Sequence, residues 1–236
     1  MSELVTIEEN EAYTMITMDD GKANALSFAM FEAVNAALDT AEAAGKVTII
    51  AGRPGKFSAG FDLSVMGAGG DPMVKLLRMG VDLSVRLLSF STPVVLAVTG
   101  HALAMGALLC LSADYRVGMK GNYKLGLNEV AIGMTLPWFG IELARARLAE
   151  THINDAVGLA HVYDPGSAVT VGYIDEAVEG EQLISRAVEL ATGYSALNMA
   201  AHKATKARIR EPLMASLEEA VRRDFAAGTS AIAASN

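Results

Sequence analysis

The sequence is short of charged and aromatic residues. Charged residues make up 19% of its 236 residues and aromatic residues 6%, and the formal net charge is -8. A chain of this kind carries no general basic surface for nucleic acid, so we expect no nucleic-acid partner. A phosphorylated ligand would need local help from lysine or arginine side chains or from backbone amides.

Cysteine and long apolar runs are scarce as well. The single cysteine, Cys110, lies in the apolar run 107–111 and cannot close an internal disulfide, which favours a reducing compartment. No apolar run reaches the length of about 18 residues that indicates a membrane-spanning helix. The N-terminus shows no basic segment followed by an apolar one. We therefore expect a soluble, cytoplasmic protein without membrane contact.

Hydrophobic residues are plentiful and patterned. They form 52% of the chain, which is enough for one sizeable core. Residues 3–18 alternate like a β-hairpin, and Ser27 is placed to cap a helix running to about Ala44. Strand and helix signals mix until Pro137, after which helices dominate, including predicted helices at 153–161, 198–209 and 213–226. This order predicts an α/β core followed by a helical segment.

Two glycine-containing loops each follow a buried strand. The segment Lys56–Leu63 has small residues where a ligand could approach the backbone, and Gly100–Leu109 opens a helix whose first N–H groups lack partners. Such amides can stabilise a developing oxyanion by about 3 kcal/mol each. Each loop also has a plainer interpretation. The first is then a strand-to-helix turn with Asp62 as the acidic residue at a helix start, and the second is close helix packing.

Taken together, the two loops resemble the crotonase (enoyl-CoA hydratase/isomerase) superfamily, through F-S-A-G-x-D-L at 57–63 and G-x-A-x-x-x-G at 100–106. Four further elements are present in the family's order: N-A-L at 24–26, A-D-x-R at 113–116, P-E-x-x-x-G at 128–133 and G-L-V-D-x-V at 172–178. The third and fourth of these have one or two changed positions. The resemblance covers roughly residues 5–180.

The resemblance implies an α/β fold of the crotonase (ClpP-like) type, a spiral of β-β-α repeats with a C-terminal helical segment. It implies a core at 1–180 that binds an acyl-CoA thioester and a trimerisation segment at 181–236, assembled as a homotrimer or as a hexamer made of two trimers. Neither a metal nor a separate cofactor is expected, because coenzyme A is part of the substrate.

By position, the resemblance assigns the oxyanion donors to the N–H groups of Ala59 and Met105 and the proton-carrying role to Glu129. The Met105 side chain, at a place that is commonly glycine, must then point away from the carbonyl. The residues implied to bind substrate or CoA are Lys22, Ala23, Ala25, Ala59, Gly60, Phe61, Asp62, Leu63, Gly106 and Trp138. Lys22 could equally be a solvated loop lysine, and Trp138 could equally be core packing.

Hydratases of this family hold a water between two carboxylates, and here the first of those positions is Leu108. No Asp or Glu lies between Gly100 and Ala113. Glu129 in an apolar pocket would have its neutral form favoured, which suits reversible proton transfer near neutral pH. One carboxylate and an oxyanion hole can move a proton from C2 to C4 of a thioester. The sequence thus favours Δ3-Δ2-enoyl-CoA isomerase, with a hydratase of fatty-acid β-oxidation or an inactive acyl-CoA-binding protein as alternatives.

Overall fold

The structure is a computed structural model that describes residues 4–226. Its strands are β1 (Val5–Glu9), β2 (Tyr13–Met18), β3 (Ala25–Leu26), β4 (Val47–Ala51), β5 (Gly55–Ser58), β6 (Gly60–Phe61), β7 (Val94–Val98), β8 (Gly100–Leu103), β9 (Tyr115–Met119), β10 (Leu125–Gly126) and β11 (Glu176–Val178). Its α-helices are α1 (Phe28–Ala44), α2 (Leu63–Ala68), α3 (Gly70–Ser89), α4 (Met105–Ser112), α5 (Trp138–Arg147), α6 (Pro165–Val171), α7 (Leu183–Ser195) and α8 (Met199–Asp224).

The strands form one large sheet and two small ones. The large sheet has the order β1-β2-β4-β7-β9-β11, and all of its pairs are parallel except the β1–β2 hairpin. The strands that follow β4, β7 and β9 leave it: β5, β8 and β10 form a parallel three-stranded sheet, and β6 pairs with β3. Each repeat thus sends one strand to the large sheet and the next to a small sheet before a helix. The predicted α/β fold of β-β-α repeats is confirmed.

Helices cover both faces of the large sheet. On one face, α1, α3 and α4 bury the main apolar core, which includes Phe31, Leu96 and Leu111. On the other face lies α7, whose Leu183 and Ala187 pack with strand residues of β4, β7 and β9. The segment after residue 180 therefore begins with a helix that belongs to the packing of the sheet. Its role in trimerisation stays a prediction.

Local signals explain the elements that the sequence predicted well. The Ser27 hydroxyl accepts a hydrogen bond from the Met30 amide at 3.2 Å and begins α1. Gly45 ends it in a left-handed conformation, with φ at 66°. The hairpin of residues 3–18 is confirmed, since Val5 pairs with Met18 and the turn lies between Glu9 and Tyr13.

The helix predicted at 153–161 was wrong, and so was the break predicted between the helices at 198–209 and 213–226, whose helical character is confirmed. Residues 153–161 contain a π-helical turn at Asn154–Gly158 rather than an α-helix, and α6 was missed although Asp164 caps its first turn. The two predicted helices at 198–209 and 213–226 are one helix, α8, with Pro212 inside it. A proline removes one helix hydrogen bond, and packing against neighbouring helices outweighs that loss.

Buried charges fasten α8 to the rest of the fold. Lys206 Nζ lies 2.6 Å from Asp114 Oδ2, and Arg210 Nη2 lies 2.8 Å from Asp114 Oδ1. Further along, the Asp224 carboxylate accepts hydrogen bonds from the first two amides of α5, those of Trp138 and Phe139. Neither α8 nor any other helix within residues 4–226 is long and apolar enough to cross a membrane.

Candidate functional site

Asn24 organises the loops around the first predicted donor segment. It is fully buried and left-handed, with φ at 51°, a conformation that asparagine tolerates better than most residues. Its side-chain amide donates to the carbonyls of Met18, at 2.8 Å, and of Lys56 and Phe57, both at 3.2 Å. The asparagine of the N-A-L element therefore ties the end of β2 to β5.

The Ala59 amide is occupied in this arrangement. Its N–H donates to the Ala23 carbonyl at 3.0 Å, and so it is not free to meet a ligand. The prediction of Ala59 as a donor is therefore wrong for this structure. Sequence motifs locate the loop but do not show which of its amides is already bonded.

The Phe61 amide, unlike the Ala59 amide, is oriented so that a ligand could accept a hydrogen bond from it. In the parallel β3–β6 pair, Gly60 lies beside Ala25, and the Asp62 amide donates to the Leu26 carbonyl at 3.3 Å. Alternate residues of a parallel strand face the same neighbour, so the amide of Phe61 points away from β3. The sequence analysis had placed Phe61 only among the CoA-binding residues.

The second donor segment begins α4 next to this strand. A Cβ built on Gly60 would lie 3.1 Å from the Met105 nitrogen and 3.0 Å from the Leu103 oxygen, so the Phe61 and Met105 amides are close neighbours. Met105 is the first residue of α4, and its N–H has no hydrogen-bond acceptor among the described residues. That amide lies at the positive end of the helix dipole.

The turn that presents the Met105 amide is strained and tightly packed. Ala104 has φ at 49° and ψ at −122°, a region that glycine occupies more readily than alanine. A Cβ on Gly106 would lie 2.5 Å from the Ser58 carbonyl oxygen, so only glycine lets α4 approach β5 this closely. Gly106 thus supports the site through its lack of a side chain.

The side chains of both amide-bearing residues point into the helical layer. A Cβ on Gly80 of α3 would lie 2.5 Å from Phe61 Cζ and 3.1 Å from Met105 Sδ. Met105 is fully buried, and the Phe61 ring also lies 6.1 Å from the Phe31 ring. The side chains therefore meet at Gly80, so the Met105 side chain points towards α3 rather than towards the donor loops.

Glu129 follows β10, which pairs with β8 immediately before α4. Its side chain is 8% exposed, and Oε2 has no hydrogen-bond partner among the described residues. Burial raises the pKa of this carboxyl to about 7, and no charged neighbour in the described chain contributes to that shift. Glu129 can thus take up and release a proton near neutral pH.

Helix α4 is apolar along nearly its whole length. Leu108 is buried, and a Cβ on Gly140 would lie 3.5 Å from Leu108 Cδ1 and 3.0 Å from Leu136 Cδ1. Each residue of α4 is buried and none carries a charge. The structure therefore offers no second carboxylate on this helix, in agreement with the sequence.

The other predicted binding residues occupy varied surroundings. Lys22 is exposed, and its carbonyl accepts a hydrogen bond from Arg53 at 2.8 Å. Asp62 caps α2 by accepting hydrogen bonds from the Ser64 hydroxyl at 2.6 Å and from the Ser64 amide at 2.9 Å, and these bonds lower its pKa. Leu63 is 66% exposed. Ala23 and Ala25 flank the buried Asn24, and their binding roles stay predictions.

Trp138 lies where α5 meets α8 rather than in either of the two donor loops. It is the first residue of α5, and it lines a groove of about 460 Å³ between α5 and α8. The Arg223 guanidinium lies 5.1 Å from its ring centroid. The predicted contact of Trp138 with an acyl chain stays a prediction.

A second groove also has a lining that does not include Glu129. It measures about 1330 Å³ between α3 and α8, and neither Glu129 nor the two amide-bearing residues line it. Within residues 4–226, no three His, Cys, Asp or Glu side chains converge as metal ligands would. Phe61 and Met105 offer two backbone amides for chemistry, and Glu129 offers one buried carboxyl group.

Comparison with known proteins identifies relatives of this chain. A family profile described as enoyl-CoA hydratase/isomerase matches residues 8–234. A Pseudomonas syringae enoyl-CoA hydratase/isomerase family protein superposes with a TM-score of 0.92 at 41% identity, covering 94% of this chain and 97% of that one. A Mycobacterium tuberculosis protein, described as an enoyl-CoA isomerase in one solved structure and as a probable enoyl-CoA hydratase in another, gives 0.90 at 40% identity in the first, with coverages of 94% and 97%.

Curated relatives are more distant. Human mitochondrial enoyl-CoA delta isomerase 1 is 30% identical over 168 residues, which are 70% of this chain but only 55% of that protein. The chain thus matches little more than half the length of this relative. A Salmonella enteritidis carnitinyl-CoA dehydratase is 31% identical over 196 residues, covering 81% of this chain and 74% of that one. The named relatives therefore include both isomerases and a dehydratase.

Proposed function

The chain belongs to the enoyl-CoA hydratase/isomerase family, and from this premise we propose that it is a Δ3-Δ2-enoyl-CoA isomerase in which Glu129 alone carries the proton. The observation that carries this proposal is the buried Glu129 carboxyl, with a pKa of about 7, in a chain whose helix α4 holds Leu108 and no acid. A hydratase would need a second group to hold and activate water. One carboxyl group is enough for an isomerase.

The backbone amides of Phe61 and Met105 form the proposed oxyanion hole. They replace the Ala59 and Met105 pair expected from the motifs, because Ala59 donates to Ala23. Both amides are fixed before a substrate arrives, one by β6 and the other by the first turn of α4. Preorganised donors of this kind stabilise the enolate oxygen more than the ground-state carbonyl.

The proton path is then short. The Glu129 carboxylate removes a proton from C2 of the 3-enoyl thioester, and the electrons move into a dienolate whose oxygen is held by the two amides. The protonated Glu129 returns the proton to C4, which leaves the double bond at C2–C3. Atoms and charge balance without water. The neutral form of Glu129 is favoured by burial, so it can hold the proton between the two steps.

Two substrates separate the candidate functions. We expect the protein to convert trans-3-hexenoyl-CoA to the conjugated 2-enoyl thioester, with little loss of conjugation from crotonyl-CoA. The absorbance of the conjugated thioester measures both reactions. Rapid loss of that absorbance from crotonyl-CoA would show a hydratase instead, and binding of both thioesters without turnover would show a binding protein.

A 3-enoyl thioester labelled with deuterium at C2 tests whether Glu129 alone carries the proton. Because Glu129 is almost fully buried, deuterium removed from C2 should appear in part at C4 in ordinary water. Complete loss of the label to solvent would contradict a shuttle shielded from water.

Gly80 gives a second prediction about the oxyanion hole. Gly80→Ala places a methyl group 2.5 Å from the Phe61 ring and 3.1 Å from Met105 Sδ, so one or both donor residues must shift. Displacements of about 1 Å at a catalytic group can cost on the order of 10²-fold, and we expect kcat/KM to fall by about 10- to 100-fold. Steady-state isomerase assays measure this loss.

Gly193→Ala is the matched control, because a Cβ on this α7 glycine meets no atom within 4 Å. It should keep full activity and gain about 0.5–1 kcal/mol of stability, as alanine favours a helix interior. Unchanged kcat/KM in a folded Gly80→Ala protein would contradict the proposed coupling of α3 to the donor pair.

A further inference from the structure

Two of the sequence elements that resemble the family have no part in the proposed reaction: A-D-x-R at 113–116, and the element at 172–178 that contains Asp175. The structure joins them. Arg116 Nε and Nη2 donate to the two carboxylate oxygens of Asp175, both at 2.7 Å, and the Arg116 backbone amide donates to the same carboxylate at 2.8 Å. A bidentate pair of this kind holds the guanidinium group in one orientation.

The remaining bond of the Arg116 side chain reaches helix α4. Arg116 Nη1 donates to the Cys110 carbonyl at 3.2 Å, in the last turn of α4, where carbonyls have no partner within a helix. Arg210 of α8 donates to the carbonyl of Ala113, which directly follows α4, also at 3.2 Å. The two arginine side chains are only 4% and 11% exposed. Both positive charges thus lie at the negative end of the α4 dipole, where they are favourable.

These two bonds are the directional contacts of side chains with the backbone at this end of α4. Within residues 4–226, the other side chains that donate to α4 are Cys110 and Ser112, and both donate to carbonyls of α4 itself. All of α4 is buried and none of its residues is charged. Apolar contacts are non-directional, so they define the position of a helix along its axis less sharply than hydrogen bonds do. Arg116 and Arg210 therefore supply the bonds that fix this position.

The opposite end of the same helix carries the Met105 amide of the proposed oxyanion hole. Helix α4 has eight residues. At about 1.5 Å per residue it is roughly 12 Å long, and a displacement at its last turn is passed on to its first. A catalytic group must be held within about 0.5 Å of its productive position. The contacts at the last turn of α4 therefore bear on the position of the Met105 amide.

We propose that Arg116 is a positioning residue for the oxyanion hole: with Arg210, it holds α4 so that the Met105 amide meets the thioester oxygen. The inference rests on the proposed function, because it needs the Met105 amide as an oxyanion donor. Asp175 orients Arg116 towards α4. A contact that serves the geometry of an oxyanion donor stabilises the enolate more than the bound substrate, so it contributes to kcat more than to KM.

Arg116→Lys tests the inference. Lysine keeps the positive charge opposite Asp175 but lacks the planar fork that bonds Asp175 and the Cys110 carbonyl at the same time. We expect kcat for isomerisation to fall by about 10-fold while KM changes little. The acid limb of the pH–rate profile should stay in place, because Glu129 is untouched. Steady-state assays with trans-3-hexenoyl-CoA over a range of pH measure all three quantities.

The infrared spectrum of a bound thioester reports on the donor without turnover. Hydrogen bonds from preorganised donors polarise a carbonyl group and lower its stretching frequency. Hexanoyl-CoA labelled with carbon-13 at its carbonyl should therefore absorb at a lower frequency when bound to the parent than when free in solution. In Arg116→Lys, the frequency of the bound thioester should move back towards that of the free one. A loss of stability alone leaves this frequency unchanged in the folded protein.

Arg186→Lys is the matched control. Arg186 donates to Glu176, the residue after Asp175, at 2.9 Å and to Glu189 at 2.9 Å, and neither bond involves α4. This variant should keep the kcat and the carbonyl frequency of the parent. Arg210→Lys is the second test variant, since it removes the bond to Ala113 from a different helix. It should change kcat and the carbonyl frequency in the same direction as Arg116→Lys.

The possible failures are distinguishable. If folded Arg116→Lys has the kcat and the carbonyl frequency of the parent, the positioning role is overturned. Arg210→Lys decides in the same way if Arg116→Lys does not fold, and failure of both variants to fold would show that the arginines support the whole fold rather than the site. If the bound thioester shows no lowered frequency in the parent, the proposed oxyanion hole fails instead. If the frequency is lowered but 3-enoyl thioesters are not converted, the isomerase assignment fails, while the frequencies still test the positioning role.

Discussion

Glu129→Gln is expected to lower kcat for isomerisation by about 10²- to 10⁴-fold, the range attributed to a well-placed general acid–base group. Glutamine keeps the shape of the side chain but can neither accept the C2 proton nor deliver one to C4. The oxyanion hole is untouched, so thioester binding should persist. Assays with trans-3-hexenoyl-CoA measure the loss, and calorimetric titration with a saturated acyl-CoA measures the binding.

The pH dependence follows from the same carboxyl group. Catalysis begins from the carboxylate, and the pKa of Glu129 is about 7. We therefore expect kcat/KM of the parent to rise with pH through about 7 and to level off above it. A profile that is flat from pH 5 to 9 would contradict Glu129 as the base.

Stability should change in the opposite direction to activity. The folded-state pKa is raised from 4.5 to about 7. Ionisation of the buried Glu129 carboxyl therefore destabilises the folded state little below pH 4.5. This destabilisation reaches its full size above pH 7. A shift of this size corresponds to about 3 kcal/mol, so Glu129→Gln should be more stable than the parent at pH 8, by up to that amount, and similar at pH 4.5. Urea unfolding at both pH values measures the difference.

Glu32→Gln serves as the control for both effects. Glu32 is exposed on α1, so its replacement should leave activity and the pH dependence of stability unchanged. Equal activity of Glu129→Gln and Glu32→Gln would show that Glu129 is not the proton carrier. Equal free energies of unfolding of Glu129→Gln and Glu32→Gln at pH 8 would show that the buried Glu129 carboxylate does not destabilise the fold.

Asp114→Asn is expected to destabilise the fold by about 3–5 kcal/mol, the usual effect of removing one partner from a buried ion pair. Asp114 faces two cations, since it accepts from Lys206 at 2.6 Å and from Arg210 at 2.8 Å. The side chains of Lys206 and Arg210 are only 4% and 11% exposed, so water cannot replace the lost charge. Urea unfolding of the variant measures the effect.

An exposed ion pair provides the comparison. Lys120 and Glu179 lie 2.9 Å apart with more than half of each side chain exposed, and Lys120→Met should therefore change stability by less than about 1 kcal/mol. Adding Lys206→Met to Asp114→Asn should recover part of the loss, because one unpaired buried charge disappears with it. If Asp114→Asn and Lys120→Met changed the free energy of unfolding equally, the ion pairs of Asp114 would not be what holds α8 against the rest of the fold.

The sequence predicted those parts of the fold that depend on local signals. Helix α1 has a serine cap, a regular apolar stripe and a terminal glycine within its own residues, and its limits were found correctly. Helix α8 has Pro212 in its middle, and its continuity depends on distant partners such as Asp114 and α5. No local pattern reports such partners.

The same distinction applies to the site. Glu129 and Met105 could be located because their motifs have fixed spacing. The Ala59 amide could not be excluded from sequence, because its bond to Ala23 forms only when two loops pack together.

The meeting of Phe61 and Met105 at Gly80 constrains how this protein can evolve. A side chain at position 80 forces Phe61 or Met105 to move, since a Cβ would lie 2.5 Å from one and 3.1 Å from the other. We therefore expect a lineage with small residues at 61 and 105 to acquire glycine at 80 before or together with the larger residues. Reversal must take the opposite order. Among descendants of one such lineage, the three positions should covary, and a larger residue at 80 should accompany small residues at 61 and 105.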